Sequence, residues 1–173
     1  MATQGSWFQD SDFVFVTMQH AESLRSSTAL RNDVIFTQRG TLGQVGLIPD
    51  CPRYPAYILS QSQMKMSCAD WVPPEYVFLT FRQPESVERF VACAATSGVP
   101  HVNLDFLRTF PVLIPDRMVL QAFAQRIRPW SRALVGMNAE SNSLATLRNT
   151  LLPKLLSGEI RIRDAEKTVE SAL

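Results

Sequence analysis

Polar side chains at alternating positions offer the clearest chemistry in this sequence. Gln61, Gln63 and Lys65 occupy every second position of a short polar run that also contains Ser62. Alternate residues of a strand share one face. Glutamine can pair with adenine through two hydrogen bonds, and lysine can reach guanine or a phosphate. The run is therefore either a candidate nucleic-acid contact or the solvent face of a half-buried strand.

A glycine-punctuated stretch precedes that run. Glycine recurs there at every third position, at Gly40, Gly43 and Gly46. The spacing fits neither the dinucleotide fingerprint nor a P-loop. One interpretation is a tight turn between strands, in which glycine supplies a positive φ. The other is a loop whose backbone, with the side chains of Arg39, Thr41 and Gln44, approaches a nucleic-acid backbone.

A third polar pair lies near Gly98 and Pro100. His101 and Asn103 flank Val102, so an extended backbone places both side chains on one side. Asparagine can read a base edge, but it also forms turns. A histidine in such a place often caps a turn through its own hydrogen bonds. Both interpretations of the pair stay open at this point.

The residues needed for catalysis are scarce. Asp33 followed later by Gln63-Met64-Lys65 is distantly similar to a nuclease pattern, but Gln63 stands where a second carboxylate would hold the cation. The chain has two histidines and three widely spaced cysteines, which match no metal-ligand spacing. The sequence therefore predicts no catalytic residue, no metal site and no cofactor.

The overall composition describes a protein that can bury a core. Hydrophobic residues make up 46% and charged residues 19%, and the formal net charge is +1. No apolar run is long enough to cross a bilayer, the first ten residues lack a signal-peptide pattern, and unpaired cysteines suit a reducing compartment. We therefore expect a cytoplasmic protein. The net charge does not itself indicate DNA binding, so any positive charge that contacts DNA must be local.

The pattern up to residue 115 predicts an α/β (α+β) domain with a mixed sheet. Strands are expected where β-branched and aromatic residues cluster between turns. The expected strands are Phe13–Val16, Asp33–Thr37, Val45–Ile48, Tyr57–Leu59, Gln63–Met66 and Val112–Ile114. Helical spacing is expected at His20–Ser26, Pro74–Arg82 and Ser86–Ala95.

Residues 116–163 follow a different pattern, a heptad-like stripe typical of a long, coiled-coil-forming helix. The members assigned to assembly are Trp130, Leu134, Leu144, Leu147, Leu151 and Leu155. Pro129 is expected to kink or restart this helix, and Gly158 to end it. Residues 164–173 are expected to form a flexible polar tail. The stripe up to Leu134 could pack on its own domain, whereas the later leucines need a partner helix.

Three segments together resemble the specificity subunits of type I restriction-modification systems. The tail Leu151–Arg161 is similar to the signature that ends these subunits. The stretch Asp33–Gly46 resembles a strand-loop-strand of their target recognition domains. A third match consists of Ser97–Leu104 followed by Phe110–Pro115. The order and spacing of the segments fit that family over most of the chain.

The resemblance implies a target recognition domain, residues 1–115, with one of the two conserved spacer helices of such subunits. Its function would be sequence-specific binding of double-stranded DNA, without catalysis. Its partners would be a methyltransferase (modification) subunit, a restriction subunit and possible second copies of the chain through the helix. The match starts abruptly at Ser11 or Asp12, so a half-subunit, a truncated product or a fragment is expected. The alternative function is a protein-assembly fragment that no longer binds DNA.

Overall fold

A computed structural model describes residues 7–8, 13–39, 42–95 and 102–170. The chain divides into two compact units, Met1–Val135 and Gly136–Leu173, called here the first and the second unit. The observed class is α+β, with small antiparallel sheets and a long C-terminal helix, which confirms the expected fold class. No helix within the described ranges is long and apolar enough to cross a membrane.

The first unit contains two small sheets. Strands β2 (Val34–Thr37), β3 (Val45–Leu47) and β5 (Gln63–Met66) form a sheet in the order β3-β2-β5. Strands β1 (Thr28–Ala29) and β4 (Tyr57–Ile58) form the second sheet. Every pairing among these strands is antiparallel. The β-branched and aromatic residues of β2 explain why it lies at the centre of the larger sheet.

Both faces of β2 are buried, because alternate side chains point to opposite sides of the sheet. Val34 and Phe36 pack into the main core, and Ile35 packs into a smaller cluster with Ile48 and Tyr57. Two helices, α2 (Pro74–Phe81) and α3 (Pro84–Ala95), complete the main core. Its largest fully buried side chains are Phe36, Phe78, Phe81 and Phe90. Fully burying each such ring is worth about 1.5–3 kcal/mol relative to exposure.

The residues before the family-like match also belong to this core. The Trp7 ring packs on Phe78 with 4.9 Å between centroids, and the Trp7 carbonyl accepts a 2.8 Å hydrogen bond from the Leu47 N–H. Phe8 packs edge-on against Tyr57. The described part of the N-terminus therefore covers the β3 side of the larger sheet.

Two short helices begin at side-chain caps. Thr17 accepts from the His20 N–H at the start of α1 (Met18–Ser23), and Asn103 accepts from the Phe106 N–H at the start of α4 (Leu104–Thr109). Such caps satisfy N–H groups that have no partner within the helix. The expected strands Phe13–Val16 and Val112–Ile114 are wrong, since neither segment forms a strand. Their apolar residues favour strands, but no neighbouring strand pairs with them among the described residues.

The long helix α5 spans Arg117–Leu156 as one continuous helix, so the chain does not start a fresh helix at Pro129. The kink that the sequence also suggested there stays a prediction. Proline removes the N–H that would bond to the carbonyl of Gln125. Gln125 and Pro129 are both exposed, and water can therefore satisfy that carbonyl. The same helix also contains Pro153.

The first turns of α5 pack on the first unit. Leu120 and Ala124 are buried, and Phe123 lies edge-on to Tyr76 at 5.5 Å. Arg128 approaches Glu75 at 3.5 Å, and Arg132 donates to Asp50 at 2.9 Å. All of these contacts lie before the division between the units, which follows Val135. The domain boundary expected after residue 115 stays a prediction.

The second unit contains the remainder of α5 and a further helix, α6 (Ile162–Glu170). Gly158 has a φ of 75° just beyond the end of α5, as expected for a helix stop. The Gly158 N–H donates to the Leu155 carbonyl. Residues 162–170 are thus helical, and the flexibility expected for residues 164–173 stays a prediction. Ile162, Ala165 and Val169 have a helical spacing that a polar composition concealed.

Candidate nucleic-acid interface

Several loops meet at one end of the larger sheet. The Thr37 N–H donates to the Gln44 carbonyl at 3.0 Å, and the Gln38 N–H donates to the Ser62 carbonyl at 2.7 Å. The Gln38 carbonyl in turn accepts from the Val102 N–H at 3.1 Å. These bonds join the β2–β3 loop, the β4–β5 turn and the segment that leads into α4. The polar sheet end is defined here as Gln38, Arg39, Gln44, Gln61, Gln63 and Asn103.

This end contains five of the eight residues that the sequence suggested for DNA binding. They are Arg39, Gln44, Gln61, Gln63 and Asn103. Two others, Thr41 and His101, lie outside the described residues, as does Gly40. The eighth, Lys65, lies two residues further along β5. The loops thus bring most of the suggested set together, although the segments are far apart in sequence.

Arg39 is the main cation of the polar sheet end. Its side chain is exposed and forms no ion pair with any residue in the described ranges. Gln44, on the opposite side of the same loop, is half-buried. An exposed guanidinium can make two parallel hydrogen bonds to a phosphate. Arg39 is therefore available to an anionic ligand.

The β4–β5 turn stabilises itself through polar side chains. The Gln63 Oε1 accepts from the Ser60 N–H and from the Ser60 hydroxyl, both at 3.3 Å. The Ser60 and Ser62 hydroxyls lie 2.8 Å apart. Gln61 at the tip of the turn is exposed. Gln63 thus shapes the turn, and Gln61 is the better placed of the two glutamines to contact a ligand.

Lys65 joins the two sheets. Its Nζ donates to the Thr28 carbonyl at 2.6 Å and lies 3.8 Å from Asp33 Oδ2. Asp33 is buried and also accepts from the Leu30 N–H and the Ser67 hydroxyl. These contacts give Lys65 and Asp33 structural roles. A DNA contact through Lys65, whose side chain is 32% exposed, stays a prediction.

Asn103 has a structural partner too, since its side chain caps α4 by accepting from the Phe106 N–H at 2.8 Å. The residue is nevertheless exposed. An amide that accepts through its oxygen keeps two N–H donors for a further partner. Asn103 can therefore cap the helix and contact a ligand at once.

Gly43 anchors the β2–β3 loop. Its φ is 78°, and an added Cβ would lie 2.9 Å from Val87 Cγ1 on α3. Only glycine combines that backbone with so close an approach. Gly46, by contrast, lies within β3 opposite Ile35. Of the two glycines that the structure describes here, Gly43 is the one that shapes the loop.

Sequence reasoning missed Gln38 and Ser60 near this surface, whereas Ser62 already belonged to the polar run that it singled out. Gln38 uses its backbone to connect the β4–β5 turn and the segment at Val102. The two serines flank Gln61 on the turn. A run of three polar residues between two strands is itself a turn signal, so Ser60 could have been placed there as well. The role of Gln38 depends on contacts distant in sequence.

The assembly residues of α5 have apolar surface in both units. In the first unit, Trp130 is 71% exposed and Leu134 is 38% exposed, although Leu120 on the same helix is buried. In the second unit, Leu144 is 45% exposed, and Leu147, Leu151 and Leu155 are half-buried. The domain therefore covers the start of the stripe but not Trp130.

The described residues also contain no group of three or more histidine, cysteine or acidic side chains that could hold a metal ion. Asp33 lies immediately before β2, the strand that leads to Gln38 and Arg39. Its oxygens are engaged by Leu30, Ser67 and Lys65. What the arrangement offers is hydrogen-bonding amides beside an exposed guanidinium.

Comparison with known proteins gives one partial similarity. A segment of 89 residues is 27% identical to the specificity subunit of the type I restriction enzyme HindI from Haemophilus influenzae. The segment is 50% of this chain but 19% of that subunit. No protein-family model matches the chain. This similarity points in the same direction as the resemblance found in the sequence motifs.

Proposed function

We propose that this chain recognises double-stranded DNA as the specificity subunit, or half-subunit, of a type I restriction-modification complex. The observation that carries the proposal is the convergence of Arg39, Gln44, Gln61 and Asn103 at the polar sheet end. Arginine is suited to phosphate contacts, and amide side chains are suited to base edges. A rigid sheet presents loops that can differ in sequence without disturbing the core.

The chain performs no catalysis in this proposal. Methyl transfer belongs to a methyltransferase subunit, and cleavage to a restriction subunit that joins the same complex in the cytoplasm. The relative that supports this assignment is itself named a specificity subunit. The exposed apolar stripe of α5 supplies the surface for assembly, because leaving several leucines in water is costly. Either the methyltransferase subunit or a second copy of the chain covers it.

The second candidate function is protein assembly without DNA binding. The exposed Trp130 and Leu144 favour it, because they require a protein partner whether or not DNA is bound. The net charge of +1 is also low for a DNA-binding protein. The two candidates differ only in whether the polar sheet end binds a duplex.

A selection experiment separates them. The chain, co-purified with its methyltransferase subunit, is incubated with random-sequence DNA duplexes, and bound duplexes are sequenced. The proposal predicts one enriched sequence. Gln61→Ala should relax the preference at one position, at a cost of roughly 1–3 kcal/mol, and Arg39→Ala should weaken binding to all duplexes. An intact protein complex that enriches no sequence would instead support the assembly function.

A further inference from the structure

A second cation lies at the same end of the domain as Arg39. Arg25 belongs to a short 3-10 turn, Arg25–Ser27, that leads into β1. The Ser27 carbonyl accepts a 2.8 Å hydrogen bond from the Leu59 N–H, immediately before Ser60. The turn that carries Arg25 therefore lies beside the β4–β5 turn of the polar sheet end.

Contacts to both sheets fix the position of β1 and of the turn that precedes it. Thr28 pairs with Ile58, and the Thr28 carbonyl is bound by Lys65 of β5. Strand β1 is thus fixed both to β4 and to β5, close to where β5 begins. The segments that carry Arg25 and Arg39, one before β1 and one after β2, thus bond to the two ends of this turn, Ser27 to Leu59 and Gln38 to Ser62.

The charge of Arg25 is not neutralised within the described residues. Its side chain is exposed and forms no ion pair with any of them. The only carboxylate between residues 13 and 31 is Glu22, which is exposed on α1 and is likewise in no ion pair within the described ranges. An arginine whose charge is left free in this way can contact an anion without first breaking an internal pair.

At the opposite end of β1, two arginines have partners and a third has no ion pair in the described part of the chain. Arg53 stacks over the Tyr54 ring at 5.3 Å, and Arg132 is paired with Asp50. Arg31 follows β1 at that end, where it is also exposed and in no ion pair with a described residue. Arg31 and Arg25 thus match in residue type and exposure but differ in position, which makes Arg31 a suitable control.

We infer that Arg25 and Arg39 contact two separate phosphates of one duplex and so place the Ser60–Gln63 turn against the bases between them. The inference rests on the proposed function and extends it to a residue that the sequence motifs do not indicate. Phosphate contacts fix the register of a protein on DNA without specifying sequence. Arg25 is therefore a positioning residue, and Gln61 lies where it can read a base.

The test compares Arg25→Ala, Arg31→Ala and Arg39→Ala in the complex with the methyltransferase subunit. Binding to fluorescent random-sequence duplexes is measured by anisotropy over a series of salt concentrations. Arg25→Ala and Arg39→Ala should each weaken binding and reduce the slope of log K against log salt by about 1. Arg31→Ala should keep the wild-type slope, Arg25→Lys should largely retain it, and Glu22→Gln should strengthen binding.

The possible failures are distinguishable. If Arg39→Ala weakens binding and Arg25→Ala behaves like Arg31→Ala, the role of Arg25 is overturned and the proposed function stands. If the wild type binds duplexes but neither variant differs from it, the phosphate contacts of Arg25 and Arg39 are overturned and DNA binding itself stands. If the wild type does not bind duplexes, the proposed function is overturned as well. Equal salt slopes on single-stranded and duplex DNA, with equal losses for Arg25→Ala, would overturn the two-phosphate duplex geometry.

Discussion

The two units differ in how many of their apolar side chains they bury. The first unit encloses Phe36, Phe78, Phe81 and Phe90 between a sheet and two helices. In the second unit, Ala165 is the one buried hydrophobic residue among those described. Leu156 is 79% exposed there, and Met137 and Leu144 are exposed as well.

This difference indicates two different tasks. The first unit has an aromatic core of its own, on which a fixed polar surface can be presented. A helical unit with exposed leucines gains most of its stability from tertiary packing, which the proposed function assigns to another chain. The proposed function accordingly assigns DNA recognition to the first unit and most of the assembly surface to the second.

Charged substitutions in the apolar stripe of α5 should have the largest effect, which is a loss of protein association. We expect the double variant Leu144→Glu, Leu151→Glu to weaken self-association or methyltransferase binding by about a hundredfold or more. Each leucine contributes about 1.5–3 kcal/mol when buried, and a charge in its place adds a desolvation cost. Sedimentation of the chain with and without the methyltransferase subunit measures the loss.

The matched control for that variant is Asn142→Glu, Asn149→Glu. Both asparagines are exposed on the same helix and lie on a different face from Leu144 and Leu151 at helical spacing. This control should assemble like the wild type. A wild type that stays monomeric and alone at high concentration, or a leucine variant that assembles normally, would contradict the assembly role.

The contact between α5 and the first unit should respond to loss of Arg128. Glu75 is buried, with a side-chain exposure of 8%, and its Oε1 faces Arg128. Its Oε2 has no hydrogen-bond partner in the described part of the chain. Arg128→Ala should therefore lower the free energy of unfolding by about 1–3 kcal/mol, because a buried carboxylate loses its counter-ion.

Thermal unfolding measures that change. The double variant Glu75→Gln, Arg128→Ala should recover part of the loss, since it removes the uncompensated charge. Equal melting temperatures for Arg128→Ala and the wild type would show that the ion pair, half exposed on the arginine side, is screened by solvent.

Alanine substitutions at two glycines should change the free energy of unfolding in opposite directions. Gly43→Ala places a Cβ 2.9 Å from Val87 at a φ of 78° and should cost about 1–3 kcal/mol. Gly136→Ala meets no atom within 4 Å in the middle of α5 and should stabilise by about 0.5–1 kcal/mol. Chemical denaturation of both variants checks the pair, and a neutral Gly43→Ala would show that the loop is not anchored on α3.

The smallest effect concerns a thiol of the first unit. Burial, with the negative charges of Asp33 and Glu75, raises the pKa of Cys68 to about 11. At neutral pH it should therefore react with iodoacetamide at least about tenfold more slowly than the exposed Cys51. Peptide mass spectrometry after timed labelling compares the two rates.

The contribution of the Cys68 thiol to folding stability should fall as the pH rises. Because folding raises the pKa of Cys68, its contribution to stability is present below the pKa of the unfolded thiol, about 8.5. It is lost as the pH rises toward 11. All three cysteines precede residue 136, so labelling of Cys68 also reports the opening of the first unit alone. Equal rates for Cys51 and Cys68 at neutral pH would contradict this.

The elements predicted well from the sequence are those with strong local signals. Strand β5 has the expected bounds, and β2 and β3 differ by a single residue, because β-branched and aromatic residues sit between clear turns. Helix α5 was expected, but its continuity through Pro129 depends on the exposure of Gln125. Helix α6 was missed because its apolar residues are few, although their spacing was visible.

The candidate site could be predicted in part for a similar reason. Residue types indicated Arg39, Gln44 and Gln61, whose places in the loops follow from the turn signals around them. They could not indicate that Lys65 binds the Thr28 carbonyl, 37 residues away in sequence. The place of Arg25 beside the β4–β5 turn depends on strand pairing for the same reason. Contacts between distant segments are set by the fold as a whole.

Hydrogen exchange tests the division of labour between the units most directly. Amide exchange is measured for the chain alone, with a selected duplex, and with the methyltransferase subunit. The duplex should slow exchange in residues 38–44 and 60–63 and leave residues 136–156 unchanged, whereas the subunit should slow exchange in residues 136–156. Protection by the duplex that is confined to residues 136–170, with none at the polar sheet end, would contradict the account.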